Sequence, residues 1–173
     1  SVIRCQTVPT LNITAYLGNW IQIYSDYAVT ETFEHDVVCD NAQYGLYPNN
    51  TISVINTGNL YNYSGAYDVV YGWAKQDSLN EPGKLSVHLQ PTGGFGAPYW
   101  VYQLGPIVNN QYDYSIVSDD IKLFLFVLAR NYTEFFNEYN EEVLVWLFRN
   151  GFVGTFNHPI PTDQNGCIYS YNG

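Results

Sequence analysis

The side chains of this chain that could carry out chemistry are its cysteines, histidines and carboxylates. Its three cysteines allow one disulfide and leave one thiol over. Its three histidines, His35, His88 and His158, are far apart, and none stands at metal-ligand spacing from another histidine or a cysteine. No hydrolase elbow, phosphate loop or dinucleotide fingerprint occurs, and no carboxylate pair can be assigned to acid–base catalysis from sequence. The sequence therefore predicts no metal site, no catalytic residue and no enzyme.

The aromatic and charged contents narrow the class of protein further. The 173 residues include 17 Tyr, 9 Phe and 4 Trp, a content typical of a folded chain rich in β-strands. The length suits a single domain spanning 1–173. Six basic residues against sixteen acidic ones give a formal net charge of -10, which repels phosphate backbones and anionic membranes. We therefore predict no nucleic-acid partner.

Several features favour secretion. The longest apolar run, 123–129, has the length of a strand and is too short for a membrane span. The chain starts at Ser1 without an initiator Met or a signal peptide, which is typical of a mature secreted form. Four glycosylation sequons fall in predicted loops or at element ends, which indicates a glycoprotein. Their asparagines are Asn12, Asn49, Asn62 and Asn131.

The arrangement of the predicted elements is that of a barrel or sandwich of β-hairpins, because short strand-like runs alternate with turn residues. The runs lie near 20–25, 37–46, 51–58, 67–75, 84–89, 99–104, 112–118 and 122–129. Apolar residues then recur at helical spacing, which predicts one helix over 133–149 with Asn131 or Thr133 as its cap. An extended tail follows this helix.

Gly18-Asn19-Trp20 stands at the start of the first predicted strand, and Ala129-Arg130 stands at the end of the eighth. The first motif is similar to the G-x-W signature of the lipocalin family, and the second to the signature that ends the eighth strand in that family. Within the family, the chain resembles the branch of apolipoprotein D and the bilin-binding proteins. The resemblance implies a mainly β fold: an eight-stranded antiparallel up-and-down barrel with one C-terminal α-helix packed outside. It also implies that Arg130 lies across Trp20, a cation–π contact at the closed end of the barrel.

Other segments carry or weaken the resemblance. The segment 162–167 resembles the branch's C-terminal tail, in which a cysteine bonds back to the second strand; here this implies a Cys39–Cys167 disulfide and leaves Cys5 over. The family's T-D-Y motif is missing after the sixth strand, where Leu104-Gly105-Pro106 stands, so the turn there is in doubt. The branch's cysteine at the end of the seventh strand is replaced by Asp119 and Asp120.

Alternation along strands and the resemblance together nominate the residues that face the barrel interior. If Trp20 points inward, Gln22 and Tyr24 follow it, and if Arg130 points inward, so do Leu128, Phe126 and Phe124. Matching the branch's interior positions adds four more residues. The predicted ligand-binding set is Gln22, Tyr24, Tyr44, Asn56, Trp73, Trp100, Phe124 and Phe126. The neighbours Gly45, Val101 and Val127 are expected to point outward or into the interface with the helix.

The implied function is the transport or storage of a small hydrophobic molecule in the barrel: a bilin, carotenoid, retinoid, sterol or fatty acid. No cofactor is required, but a bound chromophore or lipid is expected, and a bilin or carotenoid is favoured because a planar chromophore suits stacked aromatics. Fatty acids are disfavoured, because no Lys or Arg is evident at the acidic mouth. A thiol-dependent isomerase or peroxidase and a structural glycoprotein with a filled barrel are the alternatives. The sequence leaves open whether the protein forms a homo-oligomer.

Overall fold

The computed structural model describes residues 6–90 and 95–169, which form strands, short helices and one longer helical segment. The strands are β1 (Gly18–Ser25), β2 (Val37–Leu46), β3 (Ile52–Leu60), β4 (Tyr67–Gln76), β5 (Lys84–Leu89), β6 (Ala97–Leu104), β7 (Ile107–Val108), β8 (Gln111–Tyr112), β9 (Tyr114–Ser118), β10 (Phe126–Ala129) and β11 (Ile160–Pro161). The helices are α1 (Ile13–Tyr16), α2 (Tyr27–Thr30), α3 (Tyr132–Glu134) and α4 (Asn140–Arg149), with a π-helix at Phe135–Tyr139 between the last two.

Eight antiparallel strands close into the predicted barrel. Neighbours pair in the order β10-β9-β6-β5-β4-β3-β2-β1, and β10 also pairs with β1, so the sheet has no free edge between these two strands. The short β11 adds to β1 through Tyr24 and Ser25. Closure confirms the predicted up-and-down architecture and creates an interior that is separate from the outer surface.

Two apolar clusters hold the fold together. The first fills the closed end of the barrel and lines its wall, with Trp20, Tyr16 and Leu85 among its buried members. The second lies between the outer face of the barrel and the helical segment, where Val143 and Leu147 pack with residues such as Val127. The C-terminal helix therefore packs outside the barrel, as predicted, and begins at Tyr132, one residue before the predicted start.

The last strand is shorter than the sequence suggested, because carboxylates capture the backbone that precedes it. The Asp119 carboxylate accepts hydrogen bonds from the N–H groups of Leu123 and Phe124 at 3.0 and 3.1 Å. The Asp26 carboxylate accepts from Leu125 N–H at 2.8 Å. These N–H groups cannot form hydrogen bonds with a neighbouring strand. β10 therefore begins at Phe126, and 122–125 is a loop.

The turn that departs from the family pattern forms a small hairpin. β7 and β8 pair with each other as a separate two-stranded sheet. The chain then enters β9 through Asp113, whose N–H donates to Pro106 O at 2.9 Å. The Asp113 carboxylate accepts a hydrogen bond from the Tyr139 hydroxyl at 2.6 Å, which ties this turn to the outer helix. The predicted turn at 91–94 lies outside the described residues.

Candidate functional site

The barrel interior contains a cavity with a volume of about 600 Å³, within the range of small-molecule sites. Its middle is apolar and is formed by side chains from most of the barrel strands. These include Ile52, Val54, Leu85, Val87, Val117, Phe126 and Leu128. The two ends of the cavity are polar, which gives the site an apolar centre between two hydrogen-bonding regions.

Five of the eight residues nominated from sequence line this cavity. They are Gln22, Tyr44, Asn56, Phe124 and Phe126. Phe124 and Phe126 were predicted by alternation counted from Arg130. Val127 lies on the opposite face, among the residues that contact the helix. Tyr24, Trp73 and Trp100 do not line the cavity, and these three nominations are wrong.

Tyr24 points away from the cavity because β1 contains an irregularity. Gln22 pairs with Leu128 and Tyr24 with Val127, so one extra residue, Ile23, stands between two successive pairs. Such a bulge reverses the alternation beyond it. The Tyr24 hydroxyl instead donates to Asn140 Oδ1 at 2.6 Å, and the Tyr24 ring packs against Phe135 and Phe136 of the helical segment.

Trp73 and Trp100 face outward, where each ring is covered by a polar partner. Trp73 is stacked on His88 with 3.9 Å between ring centroids and is 37% exposed. The Lys84 ammonium lies 4.4 Å from the centre of the Trp100 ring. The inward residues of β6 are therefore Tyr99 and Val101, and the expectation that Val101 points outward is wrong as well.

The closed end of the barrel, here called the floor, is built from Tyr16, Trp20, Gly18 and Arg130. The Arg130 guanidinium carbon lies 3.5 Å from the centre of the Trp20 ring, which confirms the cation–π contact implied by the resemblance. Gly18 has a φ of 99°, and a Cβ there would come within 3.3 Å of an Arg130 nitrogen. Only glycine combines this backbone with so close an approach. Burial lowers the pKa of Arg130 to about 10, so the guanidinium stays charged at neutral pH.

Above the floor, three tyrosine hydroxyls form a buried network that the sequence did not reveal. The Tyr99 hydroxyl is hydrogen-bonded to those of Tyr16 at 2.7 Å and Tyr44 at 3.0 Å, and Tyr16 is also bonded to Ser115 Oγ at 2.9 Å. Burial raises the pKa of Tyr16 to about 12 and that of Tyr99 well above its ordinary value. The hydroxyls therefore stay protonated and give the deep end of the cavity both donors and acceptors.

The open end of the barrel, here called the mouth, is acidic. Glu34, Asp40 and Asp68 line it on one side, and Asp119 and Asp120 lie at the end of β9. Burial, together with the charge of Asp68, raises the pKa of Asp40 to about 7. Burial and the charge of Asp40 raise the pKa of Glu34 well above its ordinary value. The sequence predicted an acidic mouth, but only the fold shows which carboxylates line the cavity.

A disulfide joins Cys39 to Cys167 with 5.6 Å between their Cα atoms, which confirms the pairing implied by the resemblance. The tail is also held by Gln164, whose Nε2 donates to Gln22 O and Asp40 O at 2.9 and 2.8 Å. Cys5 lies outside the described residues. The four sequon asparagines, Asn12, Asn49, Asn62 and Asn131, are all exposed.

Two other kinds of feature are not found in the part of the chain that the structure describes. No group of three or more His, Cys, Asp and Glu side chains within 6–90 and 95–169 is arranged to hold a metal ion. Among the helices of these same ranges, none has the length and apolar character needed to cross a membrane.

Comparison with known proteins places the chain in a family. A family model described as a lipocalin-like domain matches residues 11–150. Apolipoprotein D of Oryctolagus cuniculus is 36% identical over 104 residues, which cover 57% of this chain and 50% of that protein. The chain thus spans about half the length of the curated relatives it matches.

Solved structures share the fold at low sequence identity. Lobster apocrustacyanin A1 has a TM-score of 0.60 and 19% identity, with 88% of this chain and 79% of that chain covered. The tryptamine complex of the amine binding protein of Rhodnius prolixus has a TM-score of 0.61 and 16% identity, with 95% and 88% covered. Since the family model matches most of the chain and the barrel is closed as that family requires, this protein belongs to the lipocalin family.

Proposed function

We propose that this protein is a secreted, non-enzymatic carrier that holds one small hydrophobic or amphipathic molecule inside its barrel. The observation that carries the proposal is the cavity of about 600 Å³ with an apolar middle and polar ends. Burying about 300 Å² of apolar ligand surface contributes roughly 7 kcal/mol before entropic costs, which is enough for micromolar binding. A cavity of this volume argues against the alternative of a structural protein with a filled barrel.

The family supports a carrier more than an enzyme. The thiol-dependent isomerase or peroxidase needs a free cysteine in the cavity, and no cysteine is among the described residues that line it. Cys39 and Cys167 are bonded to each other. One fold neighbour is recorded in complex with tryptamine, a small amphipathic molecule, which fits a carrier that binds such molecules.

The candidate ligands differ in how well they match the two ends of the cavity. Bilins, carotenoids, retinoids and sterols all offer the large apolar body that the middle accepts. The tyrosine network at the deep end can bond a ligand's hydroxyl or carbonyl group. A fatty acid carboxylate at the mouth would meet Glu34, Asp40 and Asp68, so we place fatty acids last.

Secretion and glycosylation are part of the proposal. The exposed sequon asparagines can accept glycans without disturbing the barrel, since each lies at a turn or an element end. A glycosidase that lowers the mass of the natively expressed protein would support this route, and an unmodified chain from a secretory host would count against it.

The test compares two aromatic residues that lie on opposite faces of the wall. Phe126→Ala removes apolar surface from the cavity and should weaken binding of a neutral hydrophobic fluorescent probe by about 5- to 100-fold. Trp100→Ala removes a larger ring from the outer face and should leave probe affinity unchanged. Fluorescence titration of both variants and the unmodified protein measures this. No probe binding by the unmodified protein, or equal losses in both variants, would overturn the carrier proposal.

A further inference from the structure

Three carboxylates converge on one side of the cavity mouth from separate elements. Asp40 belongs to β2 and Asp68 to β4, while Glu34 lies in the segment between α2 and β2. All three line the cavity, and Asp40 is only 7% exposed. No Lys or Arg is among the cavity-lining residues of the described chain, and neither of its two ion pairs involves these carboxylates. The mouth therefore concentrates negative charge without a protein counter-charge.

The hydrogen bonds in the described chain leave these carboxylates incompletely satisfied. Asp40 accepts from its own backbone N–H and from no side chain of the described residues. Glu34 accepts from Gln22 Nε2 at 2.8 Å, a neutral donor. A buried carboxylate is stable when a positive charge or several donors surround it, and it is costly otherwise. A positive group supplied from outside the protein would remove this cost.

The burial of Asp40 makes a donor from a ligand favourable. Asp40 lines the cavity and is 7% exposed, and no other residue of the described chain donates a hydrogen bond to its carboxylate. Buried polar side chains in native proteins almost always have hydrogen-bond partners. A ligand carrying N–H groups would donate to this side chain, because an ionised carboxylate only accepts.

We propose that the natural ligand is an amphipathic organic cation, whose apolar body fills the barrel and whose protonated amine lies against Asp40 and Glu34 at the mouth. This inference rests on the proposed carrier function and names its ligand class. Charge distinguishes such a ligand from a neutral sterol or carotenoid and from a fatty acid, since the three differ at the end that meets the carboxylates.

The electrostatics of the mouth agree with this assignment. Burial and the neighbouring negative charges raise the pKa values of Asp40 and Glu34, which means that the surrounding protein stabilises neither ionised form. The charged groups that raise the pKa of Glu34 are Asp40 and Asp26, and the charged group that raises the pKa of Asp40 is Asp68. All are acidic. A bound ammonium group offsets this negative field and favours ionisation of both carboxylates.

The experiment uses three ligands with the same ten-carbon body and different ends: decylamine, 1-decanol and decanoate. Each displaces a neutral fluorescent probe from the full-length protein at pH 7.5. We expect decylamine to bind about tenfold more tightly than 1-decanol and decanoate to bind most weakly, because only the amine pairs with the carboxylates.

Matched variants assign the preference to the mouth. Asp40→Asn and Glu34→Gln should each lower decylamine affinity about 5- to 50-fold and leave 1-decanol affinity unchanged. Glu141→Gln makes the same charge change on the exposed surface of α4 and should alter neither. Circular dichroism and melting curves verify that each variant folds, and Glu34→Gln gives a second test if Asp40→Asn does not fold.

The outcomes separate the inference from the function on which it rests. If neither the probe nor any of the three ligands binds, the carrier function fails. If the probe and 1-decanol bind but decylamine has no advantage, the cation inference alone is overturned. It is also overturned if Glu141→Gln lowers decylamine affinity as much as the mouth variants do, since the preference would then be a general effect of net charge.

Discussion

The Arg130 guanidinium carbon lies 3.5 Å from the centre of the Trp20 ring at the floor of the barrel. The same guanidinium donates to the carbonyl oxygens of Tyr112 at 2.9 Å and Asn19 at 2.8 Å. It also donates to the carbonyl of Ala15 at 3.0 Å. One side chain thus joins the start of β1, the α1 helix and the β8 turn while covering a fully buried indole.

Arg130→Ala should therefore destabilise the protein by about 2–4 kcal/mol, since it removes a partly desolvated cation–π contact and leaves carbonyls at the floor without donors. The midpoint of urea unfolding measures the change. Arg149→Ala is the control, because Arg149 is exposed at the end of α4 and its loss should change stability little. Equal midpoints for the two variants would show that the floor contact contributes no stability.

Much of the barrel could be predicted because strand and turn chemistry act locally. Alternation counted from Arg130 placed Leu128, Phe126 and Phe124 in the cavity wall, although β10 itself begins only at Phe126. The predicted face still holds for Phe124, because Asp119 and Asp26 bind the loop that precedes the strand. Alternation counted over a short span from Arg130 therefore predicted the correct face.

Alternation failed where a long-range feature determined the face. The extra residue Ile23 in β1 turned Tyr24 outward, and nothing in the local sequence marks that bulge. In β4 and β6 the face was transferred from the family, and it was wrong at Trp73 and Trp100. Large rings are ordinarily expected inside, but His88 and Lys84 cover these two from outside through contacts that only the pairing of strands creates. The tyrosine network and the grouping of Glu34, Asp40 and Asp68 depend on the same pairing.

The Cys39–Cys167 disulfide closes a loop of sequence separation 128 next to the cavity mouth. Replacing both cysteines with serine should lower the free energy of unfolding by about 2–5 kcal/mol, chiefly because the unfolded chain gains freedom. Urea unfolding under non-reducing conditions measures the loss. Native contacts of the tail should persist, because Gln164 and the Cys39 N–H bond to Asp163 O at 2.9 Å hold it independently.

Cys5→Ser is the control for the disulfide variant, since three cysteines allow one disulfide and Cys5 is left over by this pairing. Unchanged stability in Cys5→Ser together with a loss in the double variant is the expected result. A loss of similar size in Cys5→Ser would instead indicate that Cys5 takes part in a bond of its own, either between two chains or to a ligand.

Two buried carboxylates, Asp40 at the mouth and Asp26 beside the loop before β10, make the stability of the protein depend on pH. The pKa of Asp40 rises from an ordinary 3.8 to about 7 on folding, and that of Asp26 rises to about 6, in both cases mainly through burial. At a pH between the unfolded and the folded pKa of each group, the folded protein holds a proton that the unfolded chain releases. The stability that depends on these protons is therefore fully present below about pH 4. It is lost as the pH rises through the folded pKa values.

We accordingly expect the ligand-free protein to be more stable at pH 5 than at pH 7.5, by about 1–3 kcal/mol for a buried carboxylate such as Asp40. Asp40→Asn keeps the shape of the side chain and removes its charge, so it should raise stability at pH 7.5 and flatten the dependence on pH. Glu141→Gln, on the exposed face of α4, should leave that dependence unchanged. Urea unfolding at a series of pH values measures all three proteins. A stability that rises from pH 5 to pH 7.5, or a slope unaffected by Asp40→Asn, would show that groups of the protein itself stabilise the ionised Asp40. The case for a cationic ligand would then lose its electrostatic basis.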